Sequence, residues 1–272
     1  AKAIEYAQLT GEETVLDLTV KKGMNQGWFG NADVAGGTED RYMGRFMLNR
    51  FVDKTQVSVV GSANNVNDQG FSGGGGPPRW RRNNGLTATK MLGVNFATQT
   101  DKLELGGSAR YNYQNGDIAS IGSTEDFLPD GNSYSNSNSR QRNKAKNFNA
   151  DFRMEWKPDS MTNIIFRPNF SYGKTDNLSN SESGTFNSDP YSLVSDPNNW
   201  LNLEKILNPD DDPLRSIRIN AINSGSLSDN KSVSTDATLQ LNRKLNDKGR
   251  NVTFRGRFGY TNNDNNQYTE SE

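Results

Sequence analysis

Three groups of charged residues in this sequence could do chemistry. Asp210, Asp211 and Asp212 stand in a row between Pro209 and Pro213. Carboxylates this dense could hold calcium, which takes six to eight oxygens in a set arrangement. The run lacks the ligand spacing of an EF-hand loop, so a solvated acidic turn is the plainer expectation. Arg79, Trp80, Arg81 and Arg82 join cations to an aromatic ring. That combination suits an anionic ligand or a lipid phosphate, or the base of a loop packed at headgroup level. Arg153, Arg167, Arg255 and Arg257 form the third group, with Asp151, Glu155 and Asp236 at matching positions. Ion pairs between neighbouring strands are the direct expectation for them, and guidance of a charged substrate is the sharper one.

Other chemistries drop out. The chain has no cysteine and no histidine, which removes disulfides, thiolate metal sites, Cys nucleophiles and His bases. Only Ser/Lys or carboxylate pairs remain for catalysis, and none sits in a recognisable motif. Neither an enzyme nor a bound cofactor is expected. The run Gly73-Gly74-Gly75-Gly76-Pro77-Pro78 is not a phosphate loop, because no Lys-Ser/Thr follows it; it reads as a loop tip. Lys and Arg number 31 against 32 Asp and Glu, so the balance gives no reason to expect nucleic acid.

The elements that must position the arginines are organised around the stretch from Leu103 to Lys174. Leu103, Leu105, Ala109, Tyr111 and Tyr113 alternate with Glu104, Ser108, Arg110 and Asn112. Phe148, Ala150, Phe152, Met154 and Trp156 alternate with Asn149, Asp151, Arg153 and Glu155. After a turn at 157–160, Ile164, Phe166, Phe170 and Tyr172 alternate with Asn163, Arg167, Asn169 and Ser171. Successive strand residues point to opposite faces, so each run has one apolar and one polar face. The same pattern recurs to give nine strands. Pro168 interrupts one apolar face and predicts a bulge or local irregularity.

Short connections at 52–54, 99–101, 157–160 and 246–249 alternate with long polar ones at 64–85, 114–146 and 175–230. A short helix is expected within 198–207, and a polar tail after Tyr260. Short periplasmic turns and long external loops are the rhythm of an outer-membrane barrel. Trp28, Tyr113, Trp156, Tyr172 and Tyr260 end apolar faces, where a membrane aromatic girdle belongs.

The composition agrees with a barrel whose interior is wet. Of 272 residues only 32% are hydrophobic, with 10% aromatic, too little for a conventional two-layer core. The periodicity and aromatic content argue against disorder. The fold class expected is all-β, an antiparallel up-and-down meander forming part of a large transmembrane barrel. No apolar run is long enough for a membrane-spanning helix, and no signal peptide is visible. A membrane barrel carries a signal when synthesised, so the chain reads as a mature or internal piece, and nine strands, an odd number for a bacterial barrel, read as part of a larger one.

The segment 13–23, followed by Gly27-Trp28-Phe29-Gly30-Asn31-Ala32, resembles the plug-to-barrel junction of TonB-dependent receptors of Bacteroidetes-type bacteria. The run 147–160 resembles the same group's barrel repeats. The resemblance implies the end of a plug domain at 1–24 and a partial barrel at 25–272. It implies a bacterial outer-membrane location and energised uptake of scarce or large nutrients. Its partners would be outer-membrane lipid, the TonB complex acting through the plug, and a surface lipoprotein. Most of the plug, the TonB-contacting box and the remaining barrel strands are not represented. The polar arginines would then face the lumen. The alternative is a soluble or surface-exposed β-rich binding or adhesion module, its apolar faces paired as a sandwich.

Overall fold

The computed structural model describes residues 26–67, 85–129, 131–208, 211–246 and 249–272. The plug-domain end expected at 1–24, the loop tip at 73–78, Arg79, Trp80, Arg81, Arg82 and Asp210 lie outside the described residues.

Nine antiparallel strands form one sheet in sequence order, β1 to β9. They are β1 Gln26–Gly36, β2 Tyr42–Val52, β3 Thr55–Asn64, β4 Leu86–Gln99, β5 Leu103–Asp126, β6 Ser133–Asp159, β7 Thr162–Phe186, β8 Arg218–Lys244 and β9 Asn251–Ser271. The all-β meander expected from alternation is the observed fold. Among the described residues the sheet is open: β1 pairs only with β2, and β9 only with β8. Between β2 and β3 the turn needs two residues, and Asp53 takes a φ of 51° there, in the left-handed region that Asp tolerates.

Several expected loops are strand instead. Residues 114–126 and 133–146 continue β5 and β6 as one hairpin, paired without a break from Leu103↔Trp156 to Asp126↔Ser133. β7 continues to Phe186 and β8 begins at Arg218, so only 187–217 leave the sheet. The polar tail after Tyr260 is the upper half of β9. These stretches are rich in Ser and Asn on both faces, so they carry no apolar period. Backbone ladder bonds hold them regardless.

Pro168 makes no bulge. Asp151↔Asn169 and Met154↔Phe166 keep one register on either side of it, and Pro168 itself stays in register with Ala237. The ladder omits Phe152 and Arg153 opposite it, the local cost of a residue without an N–H. The register shift on this ladder falls at the turn, between Trp156 and Asp159.

The segment 187–217 folds back over the top of the sheet. It contains 3₁₀ turns at Pro190–Ser192 and Pro197–Trp200, and one short helix, α1, at Leu203–Leu207. The helix expected within 198–207 is thus split in two. Asp189, Asp196 and Asn202 each cap the turn that follows through a side-chain oxygen. Phe186, Leu201 and Leu214 are fully buried together, with Tyr134, Val194, Trp200 and Ile217 around them. A Cβ on Gly184 would stand 2.8 Å from Leu201, so glycine is what lets this segment dock.

Candidate functional site

Residues opposite one another on a ladder share a face, so the register assigns every strand residue to one of two surfaces. On one surface Val57, Phe96, Gly107 and Phe152 lie in a row across β3 to β6. The next row runs Leu48, Val59, Val94, Ala109, Ala150, Phe170, Thr235, Tyr260 across β2 to β9. Each apolar alternation noted in the sequence falls on this surface. It stays open: Leu92, Phe258 and Phe254 are 50%, 62% and 58% exposed. Among the described residues no second layer covers it, as a sandwich would require. On β6 the band runs from Trp156 to Phe148, about nine residues, the length a tilted strand needs to cross a bilayer.

Trp28, Tyr113, Trp156, Tyr172 and Tyr260 all project from the apolar surface. Trp28 and Trp156 stand toward the β2–β3 and β6–β7 turns, and the three tyrosines at the opposite end of the band. Arg50 lies 5.0 Å over the Trp28 ring. Glycine seats aromatic rings within the band: a Cβ at Gly61 would meet Phe46 at 2.4 Å.

The other surface is a mainly polar wall, with Phe29 stacked on Phe51 at its β1–β2 corner, and Arg153, Arg167, Arg255 and Arg257 all lie on it. Arg153 donates to Glu155 at 3.1 Å and lies 3.9 Å from Glu104. Arg257 meets Asp236 at 3.3 Å, and Arg255 donates twice to the Gln240 amide oxygen at 2.8 and 3.2 Å. Arg45 and Asp33 pair at 2.7 Å between β1 and β2. Ser58 donates to Asn49, and Ser108 to Asp151. The expected cross-strand pairing therefore holds for Arg257, while Arg153 binds most closely within its own strand. Arg167 and Arg110 make no ion pair among the described residues. Their charge is left facing solvent on this wall.

Beyond the tyrosine end of the band the apolar surface changes character at one step. The residues that follow Leu92, Phe148, Tyr172 and Val233 on the same face are Lys90, Lys146, Lys174 and Lys231. Each lysine is readable in its own strand. Their alignment is not, because it depends on the pairing register.

At the turn end, a hollow of about 680 Å³ lies among Lys102, Lys157, Asp159, Met161, Arg243 and Lys244. Asp159 organises it, accepting from the Met161 backbone N–H at 2.8 Å, Thr162 Oγ1 at 3.0 Å and Arg243 at 3.0 Å. The Met161 N–H, then the Thr162 hydroxyl, then the Arg243 charge hold its carboxyl below the ordinary 3.8. A lowered carboxylate stabilises the fold above its unfolded pKa and ceases to do so as pH falls through the folded value. Amide protection at residues 160–163, measured relative to the intrinsic exchange rate at each pH, is therefore expected to fall below about pH 4, and Asp159→Asn to remove that response. An unchanged acid response in the variant would assign it to another group.

Of the acidic run, Asp211 is exposed as a solvated turn requires, whereas Asp212 is not. Asp212 is buried with its side chain 1% exposed, and Arg218, 9% exposed, pairs with it through both terminal guanidinium nitrogens. Asp212 also accepts the Leu214 N–H at 3.0 Å. Its oxygens are taken up by the Leu214 N–H and by Arg218 at the start of β8.

No family model matches this sequence, and no curated protein matches it. Among solved structures, the crystal structure of Pseudomonas aeruginosa OccK8 (OprE) aligns with it at 8% identity, over 90% of this chain and 95% of that one, with a TM-score of 0.11. A likeness that low carries no argument.

Proposed function

We propose that this chain is part of the wall of a bacterial outer-membrane β-barrel of the TonB-dependent receptor type, taking part in energised nutrient uptake without catalysing a reaction. The observation that carries the membrane reading is the segregation of the nine strands into one exposed apolar surface and one hydrogen-bonded polar wall. Water disfavours the first and lipid the second, so a closed barrel with lipid outside and a wet lumen satisfies both. The edges of β1 and β9, unpaired among the described residues, suit a sheet continued by further strands, since an open edge within lipid leaves backbone groups unbonded. The receptor assignment rests on the resemblance at 13–32 and 147–160. In that setting Arg153, Arg167, Arg255 and Arg257 line the lumen, the plug passes force from TonB, and a surface lipoprotein caps the long hairpins.

The native chain has no cysteine, so single cysteines report without background. In lipid vesicles, cysteines replacing Asp151, Arg167 or Arg257 are expected to react with a water-borne maleimide about tenfold faster, or more, than those replacing Phe152, Phe166 or Phe258. Equal labelling, together with a monodisperse protein in plain buffer, would instead assign a soluble β-rich adhesion module. The uptake reading is tested in cells: nutrient accumulation should stop both on deleting the gene and on collapsing the proton-motive force. Uptake that survives the uncoupler would leave a passive barrel.

A further inference from the structure

The row of lysines at the edge of the apolar band is unexplained by the fold. Across the sheet its order is Lys90 on β4, Tyr113 on β5, Lys146 on β6, Lys174 on β7 and Lys231 on β8. Lys146, Lys174 and Lys231 stand directly opposite one another on adjacent strands, an arrangement of like charges that weakens a sheet. Lys174 is compensated by Asp229 at 2.9 Å and Asp176 at 3.4 Å. Higher on the same face, Arg140 and Arg142 are taken by Asp117 at 2.7 and 3.5 Å. Asp264 is the register partner of Lys231 on β9, without an ion pair between them. Lys90, Lys146 and Lys231 are exposed and carry no ion pair among the described residues.

We infer that this row binds the phosphates of anionic lipid headgroups, fixing the depth of the sheet in the leaflet at the tyrosine end of the band. The inference rests on the membrane reading above. Three features point to a lipid rather than to a dissolved anion. The lysines stand one same-face step beyond Leu92, Phe148, Tyr172 and Val233, where a headgroup lies when acyl chains cover those four side chains. Tyr113 sits within the row, and an amphipathic ring belongs at that depth. The row extends for roughly 19 Å at the usual strand spacing, a width of several headgroups rather than of one small ion. A lysine suits this edge, because its long apolar stem covers apolar surface while its ammonium group reaches the headgroup.

The test uses the full chain in neutral detergent micelles, titrated with phosphatidylglycerol or with phosphatidylcholine of the same acyl chains, and read by native mass spectrometry. The wild type is expected to retain the phosphatidylglycerol about tenfold better, from the roughly additive attraction of lysines near an anionic surface. The variant K90Q/K146Q/K231Q should lose most of that preference, bind phosphatidylcholine as before and unfold no earlier than the wild type. A preference that survives the three substitutions, or is absent from the wild type, overturns the inference and leaves the membrane wall standing. A preference abolished by inorganic phosphate, but not by chloride at equal ionic strength, overturns it in favour of a site for free phosphate. A chain that takes up neither lipid and stays monodisperse without detergent removes the membrane reading and this inference with it.

Discussion

Phe152→Arg is expected to destabilise the sheet in a bilayer by about 2–4 kcal/mol, the usual cost of a cation on the lipid face near the midplane. Phe152 stands midway between Trp156 and Phe148 on the apolar surface, across from Gly107 and 6.1 Å from the Phe96 ring. Its neighbour Arg153 is already an arginine, yet it points to the polar wall and meets Glu155 and Glu104. The same side chain is thus placed one residue apart on opposite faces, and only the face decides the outcome. Asp151→Asn serves as the control on the polar wall. It retains an acceptor for the Ser108 hydroxyl, and its effect is expected to stay within about 1 kcal/mol, the ordinary worth of one hydrogen bond. The measurement is the denaturant midpoint of each variant folded in lipid vesicles. In plain buffer, where solvent already reaches the band, Phe152→Arg should cost little or even reduce self-association. If Phe152→Arg and the control shift the midpoint alike in vesicles, the band does not face lipid.

The contrast explains what could be read from the sequence and what could not. Phe148, Phe152 and Trp156 alternate with Asn149, Asp151 and Arg153, and a period of two needs no partner to be recognised. The nine strands, their order and the sidedness of the four arginines were legible on that basis. Ser135, Ser137 and Ser139 in β6 face the same way as Asn143 and Asn147, while Asn136 and Asn138 face the other. With both faces polar there is no contrast to detect, so the upper hairpins read as loops. Backbone hydrogen bonding builds them, and that is indifferent to side-chain polarity. The alignment of Lys146, Lys174 and Lys231 was illegible for another reason. It arises from the register of β6, β7 and β8, and register is a relation between segments distant in the chain. Pro168 marked a real defect, but flanking ladders confine it to a missing bond instead of a bulge.

The second large effect is expected at Asp212, whose burial no local pattern announces. Asp212→Ala should loosen the segment 187–217 by about 3–5 kcal/mol, because it leaves the Arg218 guanidinium buried without its counter-charge. Arg218 has little else to rely on. It donates to the Trp200 carbonyl at 3.0 Å and lies 5.9 Å from the Phe186 ring, and its Nε already lacks a partner. At 1.4 kcal/mol per decade this corresponds to roughly a hundredfold or greater rise in hydrogen exchange across 187–217, with β5 to β7 below the lysine row unaffected. Arg218→Met in the same chain should recover most of the protection, since an apolar pair of similar size avoids the stranded charge. Gly184→Val separates docking from charge. Its branched side chain would press on Leu201, so it should expose the segment while the Asp212–Arg218 pair, local in sequence, persists. If Asp212→Ala leaves exchange in 187–217 unchanged, the apolar contacts of Phe186, Leu201 and Leu214 alone hold the segment on the sheet. If the double variant is as exposed as the single one, the ion pair contributes geometry that an apolar pair does not reproduce.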